Sequence, residues 1–206
     1  MRLIRIWPAL LLALTLPSLP AAAQTSIALS AYGAFSGTTT GHGTTQSPSN
    51  AAGVMFELRH ISNPILGFEA TYSYNRANEA YSQTSPPSCP INVQCAQIPV
   101  SVPANAHEVT LDWTPSLSIA NLRPFGVLGV GALFDVPTGG LSNTGTVARA
   151  VYVYGAGLDL GILPHIGLRF QYRGNLYKAP DLSTLYSSTG AFTHTSEPML
   201  GIYFNL

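Results

Sequence analysis

Apolar and polar residues alternate along several segments of this chain, and such alternation predicts β-strands with one apolar face and one polar face. Residues 54–60 show the pattern, since Val54, Phe56 and Leu58 lie on one face and Glu57 and Arg59 on the other. The same alternation runs through residues 66–75, 108–113 and 168–175. Less regular Gly- and Ala-rich segments at 27–35, 125–134 and 148–160, with the C-terminal segment 199–206, complete a set of about eight strands. Each is close to the ~10 residues that a tilted membrane strand requires.

The predicted connections alternate between short and long. Short links fall at 62–64, 114–124 and 162–164, and long polar links fall at 37–49, 79–104, 135–146 and 180–195. In a compact soluble domain a loop as long as 79–104 would count against the strand assignment. Outer-membrane barrels, in contrast, combine short periplasmic turns with long extracellular loops. We therefore expect the long loops outside the cell, and an even strand number then puts both termini on the periplasmic side.

The low content of charged residues supports a membrane-embedded surface. Asp, Glu, Lys and Arg make up 9% of the chain, against about 25% in soluble domains. After the N-terminal region no stretch approaches the ~18 consecutive apolar residues of a membrane-spanning helix. These observations predict an all-β fold, an eight-stranded antiparallel up-and-down transmembrane β-barrel over residues 24–206.

A soluble sandwich or a lipocalin would also alternate, but a lipocalin would turn its apolar face inward around a ligand. The placement of aromatic residues favours the membrane barrel, whose strands carry aromatic girdles at both interfaces. Those near the long loops are Tyr74, Phe134, Tyr152, Tyr154 and Tyr177, and those near the short turns are Trp113 and Phe204.

The N-terminal residues have the features of a secretory signal peptide. Arg2 and Arg5 precede an apolar segment, and small residues at 21–23 offer a cleavage site, so residues 1–23 are predicted to be removed on export. Without Arg2 and Arg5 the chain has seven basic and nine acidic residues, a charge that argues against a nucleic-acid partner. Cys89 and Cys95 lie close together in a Pro-rich loop, which in an exported protein favours a disulfide. The alternative of a metal site lacks a nearby histidine.

Several motifs resemble the small OmpA-like outer-membrane β-barrel superfamily across the whole mature chain. Residues 123–131 are similar to its Arg-Pro-aromatic strand entry, and residues 166–173 to its Gly-Leu-Arg-x-Glu-Tyr-Arg strand, with Gln171 in place of the acidic residue. The C-terminus resembles the family's insertion signal, in which Gly201 and Phe204 match and Leu206 replaces the terminal aromatic residue. The resemblance implies an outer-membrane location in a Gram-negative-type bacterium. It also implies contacts with outer-membrane lipid, lipopolysaccharide and the barrel-assembly machinery.

The predicted inner face carries charges of both signs, and these are the candidate functional residues. They are Glu57, Arg59, Glu69, Glu108, Asp112, Asp159, Arg169 and Arg173. An eight-stranded barrel is just wide enough for side chains to fill, and an unpaired buried charge costs several kcal/mol. We therefore expect an ion-pair network, with Asp159 opposite Arg169 and Arg59 diagonal to Glu69.

Two functions fit this pattern. The first is a structural or surface-interaction barrel with long extracellular loops, an unknown extracellular ligand and a plugged lumen. The second is a narrow porin-like channel for small polar solutes. A lipid-modifying enzyme is less well supported, because His42, His194, Asp135 and Asp181 are predicted loop residues without a catalytic arrangement. No cofactor, metal or catalytic residue is therefore predicted.

Overall fold

Eight long antiparallel strands close into a barrel in the computed structural model, which describes residues 23–84, 99–140 and 142–206. In chain order the strands are β1 (Gln24–Ser36), β2 (Thr39–Gly41), β3 (Thr44–Pro48), β4 (Ala51–Ile61), β5 (Gly67–Gln83), β6 (Val100–Trp113), β7 (Leu122–Pro137), β8 (Val147–Leu163), β9 (Ile166–Lys178) and β10 (Phe192–Asn205). The barrel order is β1, β4, β5, β6, β7, β8, β9 and β10, and β10 pairs with β1. The predicted fold class is confirmed.

The strands continue further into the predicted long loops than the sequence pattern indicated. β5 runs to Gln83 and β6 starts at Val100, so the prediction of a loop over 79–104 was wrong at both ends. The first long loop contains the β2–β3 hairpin, and β3 pairs with the end of β5. Here both faces of the sheet carry polar residues, so the hydrophobic alternation stops. The backbone hydrogen bonds between the strands continue beyond that point.

Two predictions, the signal peptide and the disulfide, fall on residues that the structure does not describe. Residues 1–22 of the predicted signal peptide lie outside the described ranges, as do Cys89 and Cys95. No helix in the described part of the chain is both long enough and apolar enough to cross a membrane.

Apolar side chains form most of the outer face, and the predicted charged residues lie on the inner face. Leu111 and Val130 on the outer face are 62% and 57% exposed, whereas Glu57 and Arg173 on the inner face are fully buried. Tyr177 differs from its predicted place in the outward aromatic girdle. Its ring is buried inside the barrel, and its hydroxyl shares a hydrogen bond of 2.9 Å with the hydroxyl of Thr195.

The start of β1, the end of β10 and the three short turns lie at one end of the barrel, which we call the short-turn end, and the opposite end is the long-loop end. At the long-loop end, residues 179–191 form a segment that we call the cap loop. Leu182 of the cap loop is fully buried and packs with Tyr81 and Val102. The Tyr81 hydroxyl donates to the Pro180 carbonyl at 2.8 Å and accepts from the Leu182 amide at 3.0 Å. These contacts tie the cap loop to the extended ends of β5 and β6.

Closure of the β1–β10 pair predicts resistance to detergent unfolding. The pair joins Ser26 with Asn205 at one end and Ser36 with Thr195 at the other, so the described barrel strands leave no open edge. We expect the mature protein to migrate faster in SDS gels before boiling than after it. Identical migration in both states, with the protein recovered from the soluble periplasm, would contradict the membrane barrel.

Candidate functional site: the barrel interior

Two inward-facing arginines on β9 divide the interior into two charged layers. Arg169 and Arg173 share the inner face of β9 with Gln171 and Asn175, and all four side chains are buried. Four residues of extended strand separate the two arginines by about 13 Å. Each arginine collects carboxylates from other strands, so the layers form separate clusters.

The layer nearer the short-turn end, the short-turn cluster, contains Arg59, Arg169, Glu57, Glu69 and Asp159. Arg169 donates to Asp159 through Nε at 2.8 Å and through Nη2 at 3.0 Å. Its Nη1 donates to Glu57 at 2.7 Å and to Glu69 at 3.2 Å. Arg59 donates to Glu69 at 2.6 Å and to Asp159 at 3.2 Å. Paired, desolvated charges of this kind are strongly coupled.

The register explains how the short-turn cluster assembles. Asp159 lies directly opposite Arg169 across β8 and β9, as the sequence predicted. Arg59 lies directly opposite Glu69 across β4 and β5 instead of diagonal to it. Two short turns therefore each place one arginine against one carboxylate, and Arg169 then reaches across the lumen to Glu57.

An aromatic ring completes the short-turn cluster. The Arg59 guanidinium carbon lies 3.9 Å from the centre of the Phe125 ring, and that of Arg169 lies 5.3 Å from the same centre. A desolvated cation over an aromatic face is stabilised by the ring quadrupole. Gly157 lies opposite Phe125 in the β7–β8 pair, and a side chain at Gly157 would collide with the ring. The glycine thus makes room for the ring inside a narrow barrel.

The second layer, the long-loop cluster, is centred on Arg173. Its Nη1 donates to Asp112 at 2.8 Å, its Nη2 donates to the Thr110 hydroxyl at 3.2 Å, and Nη2 lies 3.5 Å from Glu108. Asn175 donates to the other Glu108 oxygen at 3.0 Å. A single arginine therefore serves more than one carboxylate.

The structure adds three buried acidic residues that sequence reasoning did not include in the network. Glu197 lies directly opposite Arg173 in the β9–β10 pair, and Glu79 and Asp135 lie further toward the long-loop end. Asp135 was predicted in a loop but lies in β7. The alternation of side chains along the C-terminal strand could have placed Glu197 on the inner face, because it lies an even number of residues from Gly201 and Asn205. Glu79 and Asp135 could not be placed, since the segments around them were assigned to loops.

Together these acidic residues and their neighbours line a chamber of about 40 Å³. Its carboxylates come from Glu79, Glu108, Asp135 and Glu197, and Asn175 and Tyr177 also line the wall. We call this space the acidic chamber. It lies on the long-loop side of a layer that charged side chains fill.

Burial raises the pKa of Glu79 to about 7, although a hydrogen bond of 2.8 Å from Gln46 opposes the shift and nearby Asp135 adds to it. Glu79 lies where β5 pairs with the polar strand β3, beyond the apolar band. A raised folded-state pKa means that the folded protein holds this proton more tightly than the unfolded chain. Stability from Glu79 is therefore fully present below pH 4.5, the usual value, and is lost as the pH rises to about 7.

We expect Glu79→Gln to reduce the pH dependence of unfolding between about pH 4.5 and 7. The glutamine keeps an oxygen that accepts from Gln46 but cannot ionise. The measurement is urea unfolding of the refolded protein at a series of pH values. Asp181→Asn is the control, because Asp181 lies in the cap loop and pairs with Arg149 at 2.8 Å. An unchanged pH profile in Glu79→Gln would contradict the assignment.

The weak catalytic candidates do not come together in the described residues. His42 hydrogen-bonds through Nδ1 with the Ser188 carbonyl at 2.8 Å. His194 was predicted in a loop but lies in β10, where its Nε2 shares a hydrogen bond of 2.8 Å with the Tyr154 hydroxyl. Asp135 is inside the barrel and Asp181 pairs with Arg149, so neither orients a histidine.

Comparisons with known proteins agree with this architecture. The family model described as "Outer membrane protein beta-barrel domain" matches residues 9–194. The crystal structure of neisserial surface protein A is similar over 89% of this chain and 98% of that chain, with 12% identity and a TM-score of 0.55. OprG from Pseudomonas aeruginosa is similar over 89% and 96%, with 10% identity and a TM-score of 0.55.

A third similar structure is Ail, the attachment invasion locus protein of Yersinia pestis, in complex with the heparin analogue sucrose octasulfate. It covers 89% of this chain and 99% of that chain, with 14% identity and a TM-score of 0.50. No curated protein sequence matches the chain. The family match over most of the chain, together with a barrel that is apolar outside and charged inside, identifies this protein as a member of the outer membrane protein beta-barrel domain family, located in the outer membrane.

Proposed function

We propose that this protein is a non-enzymatic structural or surface-interaction barrel with a lumen that does not conduct ions. The observation that carries the proposal is the short-turn cluster. Arg59 and Arg169 are 1% exposed, and their contacts join β4, β5, β8 and β9 across the interior. A water-filled path would have to break several charge-assisted hydrogen bonds at once, and such bonds are the strong ones in a protein interior.

The outer face of the barrel supports contact with anionic lipid. Eight of the nine acidic residues lie inside the barrel, and the ninth, Asp181, pairs with Arg149. Arg76 and Lys178 are exposed on the outward face near the long-loop end. Because no acidic side chain shares that face in the described strands, both cations are available to phosphate groups of outer-membrane lipid or lipopolysaccharide.

The surface-interaction role is assigned to the long-loop end. There the β2–β3 hairpin and the cap loop are joined, since Thr39 and Thr189 share a hydrogen bond of 3.3 Å and His42 bonds to Ser188. Loops held by a rigid scaffold are the usual place for binding residues. The sequence names no extracellular ligand, and contact with the barrel-assembly machinery during insertion is part of the proposal.

Planar-bilayer recordings on the refolded protein test the closed lumen. We expect little or no current from the wild-type protein. Steady conductance with clear ion selectivity would contradict the proposal and favour the alternative, a narrow channel for small polar solutes. The surplus of carboxylates over arginines in the interior predicts that such a channel would prefer cations.

We expect Arg173→Ala to lower the free energy of unfolding by a few kcal/mol, because it leaves the buried Asp112 and Glu108 without their cation. The variant should still pass no steady current, since the short-turn cluster remains intact and still fills the lumen. Urea unfolding and bilayer recording on the same preparation check both statements. If unfolding were unchanged, the Arg173 side chain would have to reach solvent instead of the long-loop cluster.

A further inference from the structure

The acidic chamber has more oxygen ligands than the protein satisfies. Asp135 Oδ2 and Glu197 Oε2 have no hydrogen-bond partner within the described parts of the chain, and Glu108 Oε1 has only Arg173 Nη2, at 3.5 Å. The three side chains are 4%, 6% and 3% exposed. A buried polar atom without a partner costs about 1–3 kcal/mol, and more when it is charged, so each of these oxygens calls for a partner.

A neutral oxygen faces the same space. Asn175 is 1% exposed and lines the acidic chamber. Its amide nitrogen donates to Glu108, but its Oδ1 is also without a partner among the described residues. One shared proton joins only two oxygens, whereas a cation with its bound waters can serve several.

The charge balance points in the same direction. Glu79, Glu108, Asp135 and Glu197 line the acidic chamber, and Arg173 beside it is already paired with Asp112 at 2.8 Å. Arg149 lies near Asp135 but is bound to Asp181. The carboxyl groups that line the chamber therefore outnumber the basic groups that contact them, and in a desolvated space a counter-ion would balance those that ionise.

We propose that the acidic chamber binds one hard cation, Ca²⁺ or Mg²⁺, through oxygens of Glu108, Asp135, Asn175 and Glu197. Carboxylate, amide and water oxygens are the ligands that these ions prefer. No group of three or more acidic, histidine or cysteine residues in the described ranges is already spaced to hold a metal directly. Bridging waters therefore supply part of the coordination, and the 40 Å³ volume has room for an ion with about two waters.

The ion would enter from the long-loop end. On the opposite side, the Arg173–Asp112 pair and the short-turn cluster fill the interior. The cation then joins β6, β7, β9 and β10, the strands that carry its proposed ligands. Divalent ions are thus expected to stabilise the long-loop end of the barrel without any change in the short-turn cluster.

Terbium luminescence tests the proposal directly, since Tb³⁺ replaces Ca²⁺ at oxygen sites and Tyr177 in the chamber wall can sensitise it. The full mature protein is refolded in nonionic detergent without lipopolysaccharide, so that lipid phosphates cannot hold the ion. We expect saturable Tb³⁺ emission on tyrosine excitation, displaced by Ca²⁺ or Mg²⁺. We expect the double variant Asp135→Asn/Glu197→Gln to bind about tenfold more weakly, because affinity depends on the ligand charge.

Two matched controls separate the acidic chamber from other carboxylates. Glu57→Gln removes a buried carboxylate of the short-turn cluster, and Asp181→Asn removes the acidic residue of the cap loop. Both should keep wild-type Tb³⁺ affinity. Absence of binding to the wild-type protein, or equal affinity in the double variant, would overturn the proposal.

Thermal unfolding gives a second reading if the double variant does not refold. Ca²⁺ should raise the wild-type melting temperature at constant ionic strength, whereas choline chloride should not. If the two salts had the same effect, the excess charge would be neutralised by protons rather than by a bound cation, and the proposal would be wrong.

Discussion

Arg169→Met should lower the free energy of unfolding by roughly 3–5 kcal/mol, the cost of removing one partner from a buried ion pair. Arg169 is 1% exposed and contacts Asp159, Glu57 and Glu69 at 3.2 Å or less. Methionine approximates the length of the aliphatic part of the side chain, so the variant removes charge with little change in volume. Three carboxylates would then share the single cation of Arg59. Urea unfolding in detergent micelles measures the change.

The short-turn cluster predicts that loss of a carboxylate is much less costly than loss of an arginine. Its two arginines face three carboxylates. Glu57→Gln brings the cluster to neutrality and keeps an oxygen that accepts from Arg169, so we expect a smaller loss of stability than in Arg169→Met. Arg76→Met on the exposed outer face is the control, where surface substitutions change stability by about 0.5 kcal/mol or less. Equal losses in Glu57→Gln and Arg169→Met would contradict the proposed charge balance.

Strand parity predicted most of the charged interior because a residue shift of one reverses both faces of a strand. Glu57 and Arg59 alternate with Phe56 and Leu58, so their side chains had to point away from the apolar face. Short turns fixed the pairing of neighbours, which is why Asp159 was correctly placed opposite Arg169. Contacts across the lumen, such as that from Arg169 to Glu57, depend on barrel closure and were beyond sequence reasoning.

The long-loop end was less predictable for a physical reason. Once a strand leaves the apolar layer, neither face needs hydrophobic residues, so the alternation that marks the strand disappears. Glu79 and Asp135 lie in such extensions, and both were assigned to loops although they lie in β5 and β7. Tyr177 was assigned to the outward girdle because aromatic residues are common there. It lies two residues from Asn175 and four from Arg173 on β9, so its side chain shares their inner face.

Phe204→Asp should strongly reduce accumulation of the protein in the outer membrane, whereas Asn205→Asp should not. Phe204 is 43% exposed on the outer face, where it pairs with Ile27 of β1 and Ile166 of β9 at the seam that closes the barrel. A charge on the lipid-facing side costs up to several kcal/mol, depending on depth. The same position carries the aromatic residue of the C-terminal pattern Gly201–Phe204–Leu206 that resembles the insertion signal, so the substitution affects both assembly and the final membrane contact.

Asn205 is the matched control because it is the next residue on the same strand and has the opposite facing. It pairs with Ser26, and its backbone N–H donates to the His165 carbonyl at 2.8 Å. Its side chain points to the inner face. An aspartate there keeps these backbone contacts and places its charge on the polar side of the sheet. Membrane fractions of cells producing each variant, probed for folded and unfolded protein before and after boiling, give the comparison. Equal outer-membrane yields from the two variants would show that the facing of the closing strand is not what directs its insertion.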